Sequence, residues 1–392
     1  MTRTRPRPAT AHGAVTVQLD ADPGPGELAA WDRLVAATPG TDVTQLSVWA
    51  RVRAHAGFSA TYLLARRDGN LVGGAQVLLR RVPGLGRIGY VSYGPLLATG
   101  SGDRAEAVGA LAVGLGRLPG VRMLFVQPAE GTDEVRATLL ALGFRPSSAG
   151  IAPVGSIRLS LDRSEDEIRK AFPPRLRSWT NRWPAAGVAV RLGNSDDVPV
   201  LTELQRRAAE SQGYARPPGA EYVRQMYVEL AGTGNAALFI GEVHGAPVAA
   251  DLVTMCGTTV RGRLSGFDRS GPAGRLSVPG AVRWEIIRWA KRSGYRWLDF
   301  GGLSEQTLRE VVDGEPRAGD RPGPDAAKLQ YGGAPFRYPG PVELLRPRWV
   351  RSAYDTVSGR PWGREQLQRA RVALRSSRSL RPAAGHGEEG RS

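Results

Sequence analysis

One order of elements is written twice along this chain, and that repetition limits what it can fold into. In the first half, helical spacing over Glu27 to Ala37 and over Val48 to Ala56 precedes an apolar strand at Thr61 to Ala65. Asp68-Gly-Asn70 turns the chain into a second strand, Leu71 to Arg81, and a third follows at Arg87 to Tyr93. A helix over Asp103 to Leu118 leads to the strand Met123 to Gln127, and a helix over Glu134 to Leu142 closes at Gly143. The second half opens on Ser164, which suits the N-cap of a helix starting at Glu165. Helices follow over Pro199 to Ser211 and Ala220 to Ala231. Next comes an antiparallel meander over Ala236 to Val243, Val248 to Met255 and Thr258 to Phe267. A helix from Val278 to Ser293 then runs into the strand Arg296 to Phe300. Each half reads as an α+β or mixed α/β domain, used in tandem.

The boundaries expected are a first domain over 14–160, a second over 161–334, and a segment over 335–376 that packs back on the first. Residues 303–327, rich in Gly, Pro, Asp and Arg, read as a flexible loop. Residues 1–13 and 377–392 read as disordered tails.

Composition narrows the function. No apolar run approaches the roughly 18 residues of a membrane span. The basic start, Met1-Thr-Arg-Thr-Arg-Pro-Arg-Pro8, is not followed by the apolar stretch of a secretory signal. A single cysteine, Cys256, excludes an internal disulfide framework and fits a reducing cytoplasm. The net charge of +16 is carried almost wholly by arginine, since lysine is nearly absent. Such a field attracts polyanions: nucleic acid, nucleotide phosphates or anionic lipid.

Catalytic equipment is sparse. His12, His55, His244 and His386 are scattered, no His/Cys cluster has metal-ligand spacing, and no metal is expected. No nucleophile elbow, P-loop or dinucleotide fingerprint occurs. One feature stands out. The apolar strand within Tyr295-Arg-Trp-Leu-Asp-Phe-Gly-Gly302 ends in two glycines, and Lys328 follows shortly before Leu-Gln-Tyr-Gly-Gly-Ala-Pro. That arrangement brings one cation near open backbone.

Four segments carry a family likeness. They are Gln45-Leu-Ser-Val-Trp49 with Arg53, Tyr90-Val-Ser-Tyr-Gly-Pro95, Leu298-Asp-Phe-Gly-Gly302 and Lys328-Leu-Gln-Tyr-Gly-Gly333. In order and spacing the chain resembles the Fem family of peptidoglycan-bridge aminoacyltransferases. The resemblance implies two tandem GNAT-like (acetyltransferase-like) domains, here without the long coiled-coil insertion of some members. It implies transfer of an amino acid from aminoacyl-tRNA, a co-substrate rather than a bound cofactor, to an amine of a UDP- or lipid-linked muropeptide. That acceptor would bring the protein to the inner face of the membrane. Three departures from the family pattern stand out: Tyr93 before Gly-Pro, Arg53 for a lysine, and Ala327 before Lys328.

The resemblance assigns Lys328 to the oxyanion of the tetrahedral intermediate, where one such donor is worth about 3–4 kcal/mol; the alternative is a solvated loop lysine. Asp299 is a general-base candidate, or a carboxylate that holds the turn at Gly301 and Gly302. Those glycines would let substrate approach the backbone. Arg53, one helical turn from Trp49, and Arg216 are implied phosphate ligands, and Tyr93 would line the same groove. Each could instead be a solvated or half-buried residue. Arg175, Arg177 and Arg182 interleave with Trp179 and Trp183, which suits tRNA, or an amphipathic helix with its tryptophans buried. Three rivals stay open: the same chemistry on a peptidyl natural product, an acyl-CoA-dependent N-acyltransferase, and a catalytically dead RNA-binding fold. Arg269 to Arg275 lacks the usual coenzyme A pyrophosphate pattern, which counts against the second.

Overall fold

The computed structural model describes residues 13–100, 104–212, 217–268, 271–317, 319–321, 323–363, 365–367 and 369. The tails expected at 1–13 and 377–392 lie, except for Gly13, outside the described residues.

Two sheets organise the chain. The first is built from β1 (Thr16–Asp20), β2 (Ser59–Arg67), β3 (Asn70–Val82), β4 (Gly86–Ser92), β5 (Leu96–Leu97), β6 (Val121–Gln127) and β7 (Arg145–Pro146). The second comprises β8 (Gly155–Ser160), β9 (Val188–Gly193), β10 (Ala236–Val243), β11 (Ala246–Cys256), β12 (Thr259–Phe267), β13 (Trp297–Gly302) and β14 (Ala334–Arg337). The last strand, β15 (Val342–Leu345), returns to the first sheet. Spatial order is β1-β2-β3-β4-β6-β15-β7, with β5 beside β3, and β14-β8-β13-β12-β11-β10-β9. In each sheet one neighbouring pair is parallel, β4 with β6 and β12 with β13, so the two halves share one plan.

The first lobe carries α1 (Pro25–Ala37), α2 (Ser47–Ala54), α3 (Arg104–Gly116) and α4 (Asp133–Ala141). The second carries α5 (Glu165–Lys170), α6 (Pro174–Trp179), α7 (Val198–Gln212), α8 (Ala220–Ala231), α9 (Pro272–Arg275), α10 (Val278–Arg292), α11 (Glu305–Val311) and α12 (Gly323–Leu329). Finally α13 (Arg348–Gly359) lies on the first lobe, packing Val350 and Tyr354 against Met123 and Phe125. Ser164 caps α5 in a reciprocal capping box with Glu167.

Each sheet has its own core, one centred on Leu63, Leu111 and Leu124, the other on Phe239, Ile286 and Leu298. A third core joins the lobes: Trp31, Val35 and Val52 pack with Leu201, Val223 and Met226. Burial of each such side chain stabilises by about 1.5–3 kcal/mol, so the junction is a packed joint and not a linker. At its edge, a Cβ on Gly257 would fall 2.3 Å from the Ala36 carbonyl oxygen, so only glycine lets the β11–β12 turn meet α1.

The structure corrects the boundaries. Gly155–Ser160, assigned to the first domain, lies inside the second sheet between β14 and β13. Ala334–Arg337 also pairs there, with β8, so the return to the first lobe begins only at β15, between β6 and β7. Strand pairing decides this, and linear order along the chain does not reveal it. The loop expected over 303–327 contains α11 and the start of α12. Its order comes from tertiary capping: the Asp325 carboxylate accepts from Ser304 N–H at 2.9 Å and from the Thr307 hydroxyl at 2.7 Å, while Leu308 is buried.

Candidate active site

In the second sheet β12 and β13 stay in register only over Thr259–Arg261 and Trp297–Asp299. In the first, β4 and β6 remain paired as far as Ser92 and Gln127. The second pair therefore splays open, and the two glycines stand at the opening. Gly301 has φ of +93°, a conformation side-chain-bearing residues avoid. A Cβ on Gly302 would fall 2.4 Å from Cβ of Pro153.

Asp299 is fully buried beneath this turn. Its Oδ1 accepts from the Ser156 hydroxyl and from Gly301 N–H at 2.8 Å, and its Oδ2 lies 2.9 Å from Arg261 Nη2. Oδ1 takes two hydrogen bonds, Oδ2 is ion-paired with Arg261 but accepts no hydrogen bond among the described residues, and the residue does not line the cavity, so the geometry gives Asp299 the turn-holding role and not that of a general base.

Lys328 closes α12. Its Nζ donates to the carbonyl of Gly302, the residue ending β13, and stands 3.9 Å from Asp325 Oδ1. The side chain is 23% exposed, so it is not a solvated loop lysine. Burial pushes its pKa below the ordinary lysine value; Asp325 opposes this, Arg283 adds to it and Asp299 opposes it. The ammonium sits one residue behind the cavity wall, because Gly302 lines the cavity and Lys328 does not. The other two lysines take no part: Lys291 is spent on the carbonyls of Leu161 and Arg163, and Lys170 ends α5.

The cavity between the lobes has a volume of about 1370 Å³. One end is basic and aromatic, with Arg53, Arg80, Arg261, Arg263, Trp49 and Tyr93 on its wall. The motif that begins at Gln45 builds this end. Gln45, fully buried, donates to Ser92 O at 2.9 Å and accepts from Gln76 N–H at 2.9 Å, which fixes α2 on β3 and β4. Trp49 and Arg53, four apart on α2, then share the cavity face. Arg53 is 5% exposed, donates to the Tyr222 hydroxyl at 2.6 Å and lies 4.4 Å from the Phe58 ring centre. The Trp49 indole N–H is buried with no partner among the described residues, an orphan donor that an acceptor oxygen would satisfy.

Sequence reasoning missed Arg261 and Arg263. A bulge in β12 pairs Leu252 with Leu264 and then Val253 with Gly262, leaving Arg263 as the extra residue. Bulges re-aim side chains, and Arg263 stands 4.4 Å over the Trp49 ring. Arg261 instead bridges the lobes: Nη1 donates to Asp42 Oδ2 at 2.6 Å and Nη2 to the Tyr338 hydroxyl at 2.6 Å. It also covers the Tyr93 ring at 5.0 Å. Burial raises the Asp42 pKa, but Arg261 and Arg263 outweigh it and hold the carboxyl below its usual value. Two arginines two apart in an apolar strand were the available signal. Tyr93 is 4% exposed with φ of +57°, its ring tilted by 49° against that of Tyr338 with centroids 4.7 Å apart.

Arg175, Arg177 and Arg182 are exposed, but no ring stacks between them. Trp183 is 5% exposed with its indole N–H on Leu276 O, and Trp179 packs on the second core. The stretch is thus an amphipathic helix and turn, which corrects the interleaved stacking platform. Arg216 lies outside the described residues. Among the described residues no group of three His, Cys, Asp or Glu side chains could hold a metal ion.

Two joined α/β lobes, the second with its central parallel strands splayed, define a tandem GNAT-like protein. Residues 151–307 match the family described as Acetyltransferase (GNAT) domain. The chain is 26% identical over 221 residues to the Lipid II:glycine glycyltransferase of Staphylococcus aureus strain MRSA252, covering 53% of this chain and 52% of the relative. It thus spans about half the length of the curated relatives it matches. The crystal structure of FemX shares the fold with a TM-score of 0.71, at 18% identity, over 83% of this chain and 98% of that one. A tandem GNAT protein from the clavulanic acid biosynthesis pathway aligns with a TM-score of 0.51, at 17% identity, over 85% of this chain and 99% of that one. The Fem resemblance carried by the four motifs is thereby borne out.

Proposed function

We propose that this chain moves an amino acid from aminoacyl-tRNA to an amine of a lipid-linked peptidoglycan precursor. The observation that carries the reading is the juxtaposition, at the end of β13, of a partly buried ammonium with a wall of a large basic and aromatic cavity. The relatives named Lipid II:glycine glycyltransferase support the acceptor class.

In the reaction the acceptor nitrogen attacks the ester carbonyl, a C–N bond forms and the C–O bond to the tRNA terminus breaks. The proton lost by the amine ends on the released hydroxyl. The ester is already activated, so no covalent enzyme intermediate is required. An ammonium carries three donors, and Gly302 O takes one. The others would serve the carbonyl oxygen as it gains charge once the ammonium turns past Gly302 toward the cavity, in a site where burial strengthens the interaction. Arg53, Arg263 and the Trp49 N–H form a cradle for the acceptor's phosphates, since guanidinium groups match phosphate geometry. The exposed Arg175, Arg177 and Arg182 supply charge for the tRNA without reading its bases.

The test is a transfer assay with charged tRNA and a lipid-linked acceptor, run beside one with acetyl-CoA. Product is expected only in the first and strongly reduced in Lys328→Ala. Acetyl transfer without aminoacyl transfer, or full turnover by Lys328→Ala, would sink the reading.

A further inference from the structure

The far end of the cavity is apolar, walled by Leu85, Ile88, Met123, Phe125, Val350 and Leu367. Five arginines lie on the elements that frame this end, none of them on the cavity wall, and strand alternation sets Arg81 and Arg87 on the sheet face opposite the wall residues Arg80 and Ile88. Arg81 and Arg87 are cross-strand partners on β3 and β4, beside the hairpin tip that carries Leu85. Arg122 packs on Gly86 of the same tip, and its backbone carbonyl accepts from Arg346 N–H at 2.8 Å. Arg348 begins α13. Among the described residues no carboxylate pairs with any of the five. Elsewhere arginines are neutralised: Arg145, Arg191 and Arg337 each hold two carboxylates. Like charges placed opposite each other on a sheet repel, so the Arg81–Arg87 pair is relieved by an anionic partner.

The same rim exposes an aromatic ring. Trp349, 53% exposed, stands under the Arg122 guanidinium at 5.5 Å and lines the cavity mouth. Trp362, just beyond α13, is 55% exposed.

We propose that this face, the β3–β4 tip with the start of α13, docks on an anionic lipid bilayer. Arginines meet the headgroups, and Trp349 and Leu85 enter the interface, where an amphipathic ring is favoured. The apolar end of the cavity then opens onto lipid, giving a hydrocarbon-tailed acceptor a dry route to the basic end. A nucleic acid would also satisfy the arginines, but it has no use for an apolar mouth flanked by a half-exposed tryptophan. The route for the acceptor rests on the proposed function; the docking itself does not.

The test is co-sedimentation of the full chain with vesicles of phosphatidylglycerol and phosphatidylcholine, and with phosphatidylcholine alone. Binding is expected to the first and not the second, and to fall with added salt. Each arginine near such a surface is worth about fivefold in affinity, so Arg81→Ser/Arg87→Ser/Arg348→Ser should bind roughly a hundredfold more weakly. Tryptophan quenching by lipids brominated in the acyl chain should be smaller in Trp349→Phe, a readout that surface charge alone would not move. Equal binding to both vesicles, or undiminished binding by the triple variant, overturns the proposal. So does a triple variant that loses tRNA binding and keeps vesicle binding. Transfer to a water-soluble, short-chain acceptor should survive in the triple variant. Vesicle binding without any transfer would reject the enzyme activity and leave the docking face standing.

Discussion

Arg261 of the second lobe donates to Asp42 of the first at 2.6 Å, with the aspartate 2% exposed. The same guanidinium lies 2.9 Å from Asp299, so one cation holds two buried carboxylates and ties the lobe junction to the glycine turn. Removing one member of such a cluster leaves uncompensated buried charge.

Arg261→Ala should therefore destabilise the protein by about 3–5 kcal/mol, read by urea unfolding. The triple variant Arg261→Met/Asp42→Asn/Asp299→Asn should recover much of that loss, because no lone charge remains. A single variant as stable as the parent would show that the cluster carries no structural weight.

The Asp42 carboxyl has its pKa held below 3.8, so its contribution is full above that value and is lost as pH falls through the lowered one. Asp42→Asn should flatten the acid limb of the stability curve by at most about 1.4 kcal/mol per pH unit. Equal slopes in both proteins below pH 3.8 would contradict the assignment.

Lys328→Ala should lower kcat by roughly a hundred- to a thousandfold and leave acceptor KM nearly unchanged, the pattern of an interaction made only in the transition state. Because burial lowers the lysine pKa, parent activity should decline with rising pH before an ordinary lysine, 10.5, would titrate. Lys328→Arg should move that decline to higher pH, whatever its absolute rate. An unmoved alkaline limb would argue that another group titrates there.

Arg263→Ala should show the opposite split. Losing a charge-assisted contact of about 1.5–3 kcal/mol should raise acceptor KM by about 10- to 100-fold with little change in kcat. Trp49→Phe, which deletes the orphan N–H, should give a smaller effect in the same direction. A kcat defect without a KM change in Arg263→Ala would remove it from the phosphate cradle.

Gly302→Ala tests the splay. Its Cβ would meet Pro153 at 2.4 Å, and overpacking of this kind costs about 1–3 kcal/mol. The expected result is a lower melting temperature together with lost turnover. A variant with parental melting and activity would show that the turn tolerates a side chain.

The residues by themselves determined the doubled plan, because helix and strand periodicities are local and survive being read one window at a time. They also pointed to Lys328 beside the Gly301–Gly302 turn and to Trp49 and Arg53 on one helix face. Only tertiary structure decided how the halves are completed. Strand pairing spans long stretches of chain, so Gly155–Ser160 joins the second sheet and Val342–Leu345 the first without a local sign. Likewise Asp299 reads as either a general base or a turn-holding carboxylate until Ser156, Gly301 and Arg261 close around it, and Arg263 reads as a strand residue until the bulge turns it onto Trp49. Charge in a sequence is visible, but whether it is neutralised, buried or left facing a cavity depends on partners the fold brings from far along the chain.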